Sequence, residues 1–520
     1  MNDQQNSAIN GLEIELKFEL SPSEVQKLCR APQFKAMQKA RARGMTLRAT
    51  YFDTPEHDLA KRKLALRVRQ EGRRYVQCLK AQSDNVDGAG FARREWEWPV
   101  GEMALDVAVL KADAEIKTLL KGVKFGQIQP IYATDIKRQS RDLHMPGGAL
   151  VQCDIDQGRV YLGAEESLLC ELELELKSGS VADLFRTASQ IVDIVPARLS
   201  NRTKAGRGAN LARGAYGWVH AHHPPLSQGV CAEDVLRTSV MEALQHLLSN
   251  EDCVLQRCDI EGVHQMRIAL RRMRSVITAF KKALPKGTFE DLSAGLKVAG
   301  NTLGPARDWD VFLHEILSPV AAGFEQDDDV SFMMARAVLR QNQAYADVQE
   351  MIRSPHYARL LMDAAVWGGV GAWREGGPSG KLKRSAQYVA KHVLQSRHAR
   401  LLEAGDGVEA LSIHERHALR IAVKKARYAA AFFAELYDRK RTKPYLKSLK
   451  GLQESLGHLN DLATAGRLME DLISKERGAA VSKLNRASGK VEGWYMHAHV
   501  LHEKSLKNAW HKFKKSKPFW

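Results

Sequence analysis

The spacing of apolar residues changes once along this chain, and that change demands two different architectures. Up to about residue 200, segments such as GLEIELKFEL, LALRVRQ, YVQCLK, REWEWPV, VQCDID and ELELELK alternate at every second residue. Successive side chains of a strand point to opposite faces, so this pattern predicts strands. From about residue 230 the alternation stops. AEDVLRTSVMEALQHLLS and DDVSFMMARAVLRQNQAYADVQEMIR repeat at the helical spacing instead. Between the two lies His220-Ala221-His222-His223-Pro224-Pro225, whose paired prolines break both patterns and mark a linker. A few helices interrupt the strands. One follows Ser21-Pro22-Ser23-Glu24, which reads as a capping box with proline at the first helical position. Others are expected at roughly 102–120 and 181–194.

The strands carry charge where an ordinary half-buried sheet carries its core. Glu13, Glu15 and Lys17 share one face of the first strand, and Glu171, Glu173 and Glu175 share one face of the last. The central strands bring the opposite sign: Arg67 and Arg69, then Lys80, Arg93 beside Glu95 and Glu97, and Arg138. Asp156 lies in CDIDQG. Acids on the terminal strands and bases on the central ones differ from the irregular mixture of a solvated face. A closed or nearly closed barrel would turn all these faces inward. Such a lumen must be wet or hold ions, because unpaired buried charge is costly. Carboxylate clusters suit hard divalent cations such as Mg²⁺ or Mn²⁺, and the bases opposite suit phosphate oxygens. There is no GxxxxGK[ST] to supply a phosphate loop.

These strands resemble the CYTH family of triphosphate tunnel metalloenzymes. The resemblance rests on Glu13-x-Glu15-x-Lys17, Tyr51-Phe52-Asp53-Thr54-Pro55, Leu66-Arg67-Val68-Arg69, Gln77-Cys-Leu-Lys80, Arg93-x-Glu95, Thr134-Asp-Ile-Lys-Arg138, Asp156-x-Gly158, Glu171-Leu-Glu173-Leu-Glu175 and Thr203-Lys204-Ala-x-Arg207-Gly208. It covers about residues 11–212. It implies an α+β domain with an eight-stranded antiparallel tunnel, working on triphosphates with divalent metal, two ions per tunnel. Glu13, Glu15, Asp156, Glu171, Glu173 and Glu175 are the implied metal ligands. Lys17, Arg67, Arg69, Lys80, Arg93, Arg138 and Lys204 are the implied phosphate holders. Glu13, Glu15, Lys17 and Glu173 are the implied catalytic set.

The helical half repeats itself. An offset of 153 positions carries His264-Gln-Met-Arg267-Ile-Ala-Leu-Arg271-Arg272-Met-Arg274 onto His417-Ala-Leu-Arg420-Ile-Ala-Val-Lys424-Lys425-Ala-Arg427. The same offset carries Lys297 to Lys450, Leu303-Gly304 to Leu456-Gly457 and Asp308 to Asp461. Four landmarks in one register predict a duplicated helical unit. Spacings of three and four stack His264, Arg267, Arg271 and Arg274 on one helix face, beside an apolar stripe of Met266, Leu270, Met273 and Ile277. His417, Arg420, Lys424 and Arg427 repeat the arrangement. Like charges at this spacing repel by roughly 0.2–0.5 kcal/mol per pair. Either a polyanion or anchoring acids such as Asp308 and Asp461 would offset that repulsion.

This half resembles the CHAD domain, a histidine-bearing α-helical domain, through HQMRIALRRMR, LGPARDWDVF, HALRIAVKKARYAAAFF with LGHLND, and AWHKF with KPFW. It implies an all-α domain over 230–520, with two repeated bundles at about 230–375 and 380–520 after a 213–229 linker. It implies inorganic polyphosphate as partner, held by His264, Arg267, Arg271, Arg274, Lys297, His417, Arg420, Lys424, Arg427 and Lys450. Lysine at 424 keeps the charge of arginine and loses its bidentate geometry.

Charge agrees with that division. Residues 221–520 hold 45 Lys+Arg against 33 Asp+Glu, so most of the net +17 is C-terminal. An excess of this sign suits a polyanion, and no nucleic-acid reader motif is present. Seven cysteines without a CxxC pair argue against a disulfide framework. No apolar run spans a bilayer and the N-terminus lacks a secretory pattern, so a cytoplasmic location is the expectation. The joint expectation is hydrolysis of inorganic triphosphate beside a polyphosphate holder. ATP cyclisation, thiamine triphosphate hydrolysis and a non-catalytic polyphosphate scaffold are the alternatives.

Overall fold

In a computed structural model of the chain, residues 12–82, 92–214, 217–222, 229–376 and 380–520 are described. The chain divides into two compact units. One contains the residues up to 219 together with 353–372, and the other contains 220–352 and 373–520.

The first unit is built on nine strands: β1 (Leu12–Glu19), β2 (Arg43–Asp53), β3 (Leu64–Glu71), β4 (Arg74–Gln82), β5 (Ala92–Val100), β6 (Gln129–His144), β7 (Leu150–Leu162), β8 (Glu165–Ser178) and β9 (Arg198–Ser200). All paired strands are antiparallel, in the order β5-β4-β3-β2-β6-β7-β8-β1-β9. β5 also pairs with the start of β1, Glu13 opposite Arg93, so β1 to β8 close on themselves. The eight-stranded antiparallel tunnel expected from the sequence is the observed architecture.

Closure explains the inverted alternation. Leu16 and Phe18 of β1 and Leu172 and Leu174 of β8 are fully buried on the outer face. The helix Val181–Ile194 covers them with Leu184, Phe185, Ala188 and Ile191. Leu66, Val68 and Leu79 of β3 and β4 pack in the same way with Leu110 and Ile116. The apolar core therefore wraps the outside of the barrel, and the charges line its inside. The two flanking helices fall where the sequence placed them, but Asp113 caps a new turn and splits the first into Val107–Ala112 and Ala114–Leu119. Ser21 and Glu24 form the expected capping box, with Pro22 opening the helix.

Helix Pro355–Val370, which the sequence assigned to the first helical repeat, belongs to this unit. It packs on Val181–Ile194 and β9. Contact is close because position 369 is glycine: a Cβ there would stand 2.7 Å from the Phe185 ring.

The second unit has only helices for its regular elements among the described residues, with one isolated bridge between Cys231 and Ser385. Helices Ile260–Phe280 and Ile413–Phe433 are both 21 residues long, and their bounds differ by the same 153 positions as the sequence motif. They pack against one another. Residues 223–228 of the expected linker lie outside the described residues. All seven cysteines are free thiols.

Candidate functional site

Strand register sets the charges of the tunnel in rows. β1, β8, β7 and β6 lie side by side, so Lys17, Glu173 and Asp154 form one row, and Glu19, Glu171, Asp156 and Arg138 the next. Across the barrel β4 and β5 set Lys80 opposite Glu95. These walls enclose a cavity of about 630 Å³. Nine of the expected residues line it: Glu15, Lys17, Arg67, Arg69, Lys80, Arg138, Glu173, Glu175 and Lys204. The side chains of Glu13 and Arg93 lie outside the described residues.

Glu173 is the hub. Lys17 bonds it directly, Arg138 donates to it at 2.7 Å, and Lys204 at 2.9 Å. Burial pushes its carboxyl up, but Lys17, Lys204 and Arg138 together hold it well below the usual carboxylate range. Arg138 forks onto Asp156 at 2.7 and 2.6 Å and reaches Asp154 at 2.6 Å. Lys204 also bonds Glu171 and sits 2.8 Å from Asp156. Burial alone would neutralise Lys204, yet Asp156, Glu171 and Glu173 hold its ammonium well above the ordinary lysine value. Asp156 and Glu171, 0 % and 2 % exposed, are sealed beneath these two cations and do not line the cavity.

On the opposite wall Lys80 pairs with Glu95 at 2.8 Å, and Arg67 donates to the Tyr51 hydroxyl at 3.3 Å. Burial raises the Glu95 carboxyl, and Lys80 and Arg67 bring it down to about 2. Arg69 reaches Glu97 at 3.3 Å and also pairs with Glu71. Burial and the neighbouring Glu95 push Glu97 up despite Arg69.

Asp154 was not singled out in the sequence, although it shares a face with Asp156. It lines the cavity, and its Oδ1 is buried without a hydrogen-bond partner among the described residues. A buried carboxylate oxygen without a partner costs roughly 1–3 kcal/mol unless something meets it. Glu15, Asp154, Glu173 and Glu175 thus offer carboxylate oxygens to the cavity from three adjacent strands. That donor set fits a hard divalent cation. The sequence also passed over Glu19, which follows Glu13, Glu15 and Lys17 on the same alternation. Arg207 bonds it at 2.7 Å and Arg202 at 3.3 Å, and Arg198 bonds it too. This cluster anchors helix Lys204–Arg213, and so the position of Lys204, to β1.

The helical unit brings its two basic stripes together. Helices Ile260–Phe280 and Ile413–Phe433 pack so that the Arg271 guanidinium lies 4.6 Å from the Tyr428 ring centre. Gly304 leaves room for Arg267, whose Nη1 stands 3.2 Å from where a Cβ would be. Burial lowers Arg271, and Arg427 lowers it further. Burial, Arg420 and Arg271 bring Lys424 down to about 8. Burial with Arg307, Arg271 and Arg267 lowers the half-buried His264. The Nε atoms of Arg271, Arg274 and Arg420 are buried without partners among the described residues. Asp308 forms no ion pair among those residues, and burial pushes its carboxyl up. His417 is exposed. Lys297 and Lys450 are exposed on other helices, and Lys450 pairs with Glu454 at 3.6 Å.

Comparison with known proteins follows the same division. The CYTH domain model matches residues 11–208 and the CHAD domain model residues 238–470. A Haemophilus influenzae protein described as an inorganic triphosphatase is 32% identical over 199 residues, 38% of this chain and 54% of that relative. An uncharacterised Mycobacterium tuberculosis protein is 29% identical over 322 residues, 58% of each chain. This chain therefore spans little more than half the length of these curated relatives. The crystal structure of the CHAD domain from the plant Ricinus communis is 28% identical with a TM-score of 0.49, covering 57% of this chain and 97% of that one. Residues 11–208 are a CYTH domain and residues 238–470 a CHAD domain, carried on one chain.

Proposed function

We propose that the tunnel hydrolyses inorganic triphosphate to pyrophosphate and phosphate with a divalent cation, and that the helical unit holds inorganic polyphosphate. The observation that carries the first part is one cavity with carboxylates on the β1–β8–β7 wall and Arg67, Arg69 and Lys80 on the β3–β4 wall. Glu13, Glu15, Glu173 and Glu175, with Asp154, would hold Mg²⁺ or Mn²⁺. Asp156 and Glu171 would join only if Lys204 and Arg138 let go of them. Such a bound ion supplies acidified water and offsets phosphate charge. Lys17, Arg67, Arg69, Lys80, Arg93, Arg138 and Lys204 bind and orient the phosphates. Their charge opposes the negative charge that builds on the transferred phosphoryl group and the leaving pyrophosphate.

The aromatic residues of the cavity favour an inorganic substrate. Tyr51 and Tyr132 stack on each other at 4.8 Å, and Tyr51 and Phe52 are buried. Gly208 presses against the Tyr132 ring so closely that a Cβ would overlap it. Tyr51, Phe52 and Tyr132 are thereby packed into the wall, which favours a substrate without a ring to stack. Incubating the full chain with Mg²⁺ or Mn²⁺ and tripolyphosphate, ATP or thiamine triphosphate, then identifying products, separates the readings. Pyrophosphate and phosphate from tripolyphosphate, abolished by a chelator, is the expected result. Cyclic nucleotide, preferred thiamine triphosphate turnover, or no turnover at all would each replace it.

For the helical unit, the carrying observation is a set of buried guanidinium nitrogens without partners among the described residues, on two facing stripes. His264, Arg267, Arg271, Arg274, His417, Arg420, Lys424 and Arg427 form the holding surface. Lys297 and Lys450 contribute at most from its periphery. A polyphosphate chain held on the same polypeptide raises the local concentration of phosphoanhydride.

A further inference from the structure

The helical unit carries a second group of cations that neither stripe contains. Residues 376–402 hold six Lys+Arg and no Asp or Glu, and residues 281–289 hold three lysines and no acid. The fold joins these two segments. Lys381 donates from Nζ to the carbonyl of Lys282 at 3.3 Å. Helix Ala386–Ala404 packs along Ile413–Phe433, and Lys281 caps the C-terminus of Ile260–Phe280. Lys281, Lys282, Lys381, Arg397, Arg400 and Lys425 thereby share one surface, all exposed except the half-buried Arg397. Burial, Arg397, Arg400 and Lys281 all push the Lys425 ammonium down, as expected of cations gathered together. None of the six forms an ion pair among the described residues.

Lys425 is the junction. It follows Lys424 in sequence, so it lies about 100° round the same helix from the stripe. A linear polyanion lying on the stripe can therefore pass onto this surface without leaving the helix.

We propose that this surface is a second polyanion track, which takes the overhanging length of an inorganic polyphosphate chain whose other part lies on the stripes. It rests on the polyphosphate reading of the helical unit and adds a dependence on chain length. A short chain occupies the stripes alone. A long chain also releases counterions from the second track, so its affinity and salt dependence both exceed those of the short chain.

The test titrates the full chain with end-labelled polyphosphate of about ten and about one hundred phosphates at several salt concentrations. For Arg397→Ala/Arg400→Ala, long-chain affinity should fall about tenfold and the salt slope by about 1–2, at roughly 0.7 per lost contact. Short-chain affinity should stay within about twofold, since the stripes are intact. Lys281→Ala/Lys282→Ala, both exposed, repeats the test should the arginine pair misfold. Unchanged long-chain affinity and slope in both folded variants overturns the track. Equal loss for both lengths merges the surface with the stripes and also overturns it. Failure of the unsubstituted chain to bind either length removes the stripe reading itself. Single-stranded RNA of equal charge is the last arm: tighter, track-dependent binding of RNA than of polyphosphate overturns the choice of partner.

Discussion

The tunnel and the basic stripes of the helical unit both draw charges out of water, and they treat them in opposite ways. In the tunnel almost every cation meets a carboxylate. Arg138 touches three acids, Lys204 three, and Lys17 two. Arg138 and Lys204 are held above their ordinary pKa values, and Glu173 below its own. Along the basic stripes Arg267, Arg271, Arg420 and Lys424 are all pushed down, because burial dominates, with Arg420 and Arg271 adding to it at Lys424. A self-neutralised site must exchange partners when a charged substrate arrives. A site left with uncompensated positive charge needs only the polyanion. The first arrangement suits selective chemistry on a small metal-borne phosphate, and the second suits avid holding of a long one.

The largest expected effect strikes the tunnel's hub. Glu173→Gln removes the charge that binds Lys17, Arg138 and Lys204 together, along with one ligand facing the cavity. Metal-dependent phosphate release from tripolyphosphate should fall at least about 100-fold. A release assay on folded variant checks this, and near-normal turnover would remove Glu173 from the mechanism.

Next is a matched pair of substitutions that asks whether the two regions differ energetically as well as visually. Arg138→Met strands Asp154, Asp156 and Glu173 in a buried site. Breaking such a network costs about 3–5 kcal/mol, so thermal denaturation should begin several degrees earlier. Arg271→Met takes away a buried cation whose Nε has no partner among the described residues, losing only its contact with Tyr428. Its melting point at low salt should hold or rise. Equal destabilisation by both would erase the contrast.

The third effect is on binding. Arg267→Ala, Arg271→Ala and Arg420→Ala together should weaken retention on immobilised polyphosphate and flatten its salt dependence, each lost contact reducing the slope by about 0.7. Retention that ignores both salt and these substitutions would place the polyanion elsewhere.

Much of this organisation was legible in the sequence. Alternation gives the strands and the inward charge, and one offset gives both basic helices to the residue. Depth was not legible. Asp154 and Asp156 have the same parity on one strand, but only the paired strands and the reach of Arg138 and Lys204 decide which one faces the cavity. The Glu19 cluster was hidden differently. Glu19 continues the Glu13, Glu15, Lys17 series, but its partners Arg198, Arg202 and Arg207 lie far along the chain. The packing of helix Pro355–Val370 on Val181–Ile194 was not legible either, since its apolar pattern shows that it is covered and not by what. Conversely, the equivalence of His264 and His417 in sequence does not extend to burial: at the same place in their helices the first is half-buried and the second exposed.

The smallest effect is also the most diagnostic of the basic stripes. Lys424 titrates at about 8 in the folded chain, against an ordinary lysine value of 10.5. Below pH 8 its ammonium is charged whether the chain is folded or not, and the folded state bears the full repulsion from Arg420 and Arg271. Between about pH 8 and 10.5 the folded chain sheds a proton that the unfolded chain keeps, so this residue's contribution to stability rises with pH across that window. Polyphosphate acts in the opposite sense. It favours the charged form, so its affinity should fall as pH passes 8, by at most about tenfold per pH unit from this one group. Binding just above pH 8 should take up a proton, which calorimetry in buffers of different ionisation heat detects. Lys424→Arg keeps the charge through the whole range, so both the fall in affinity and the proton uptake should vanish. If they persist in that variant, the titrating group is another member of the stripe, and the pressure of like charge along the stripes is shared more widely than Lys424 suggests.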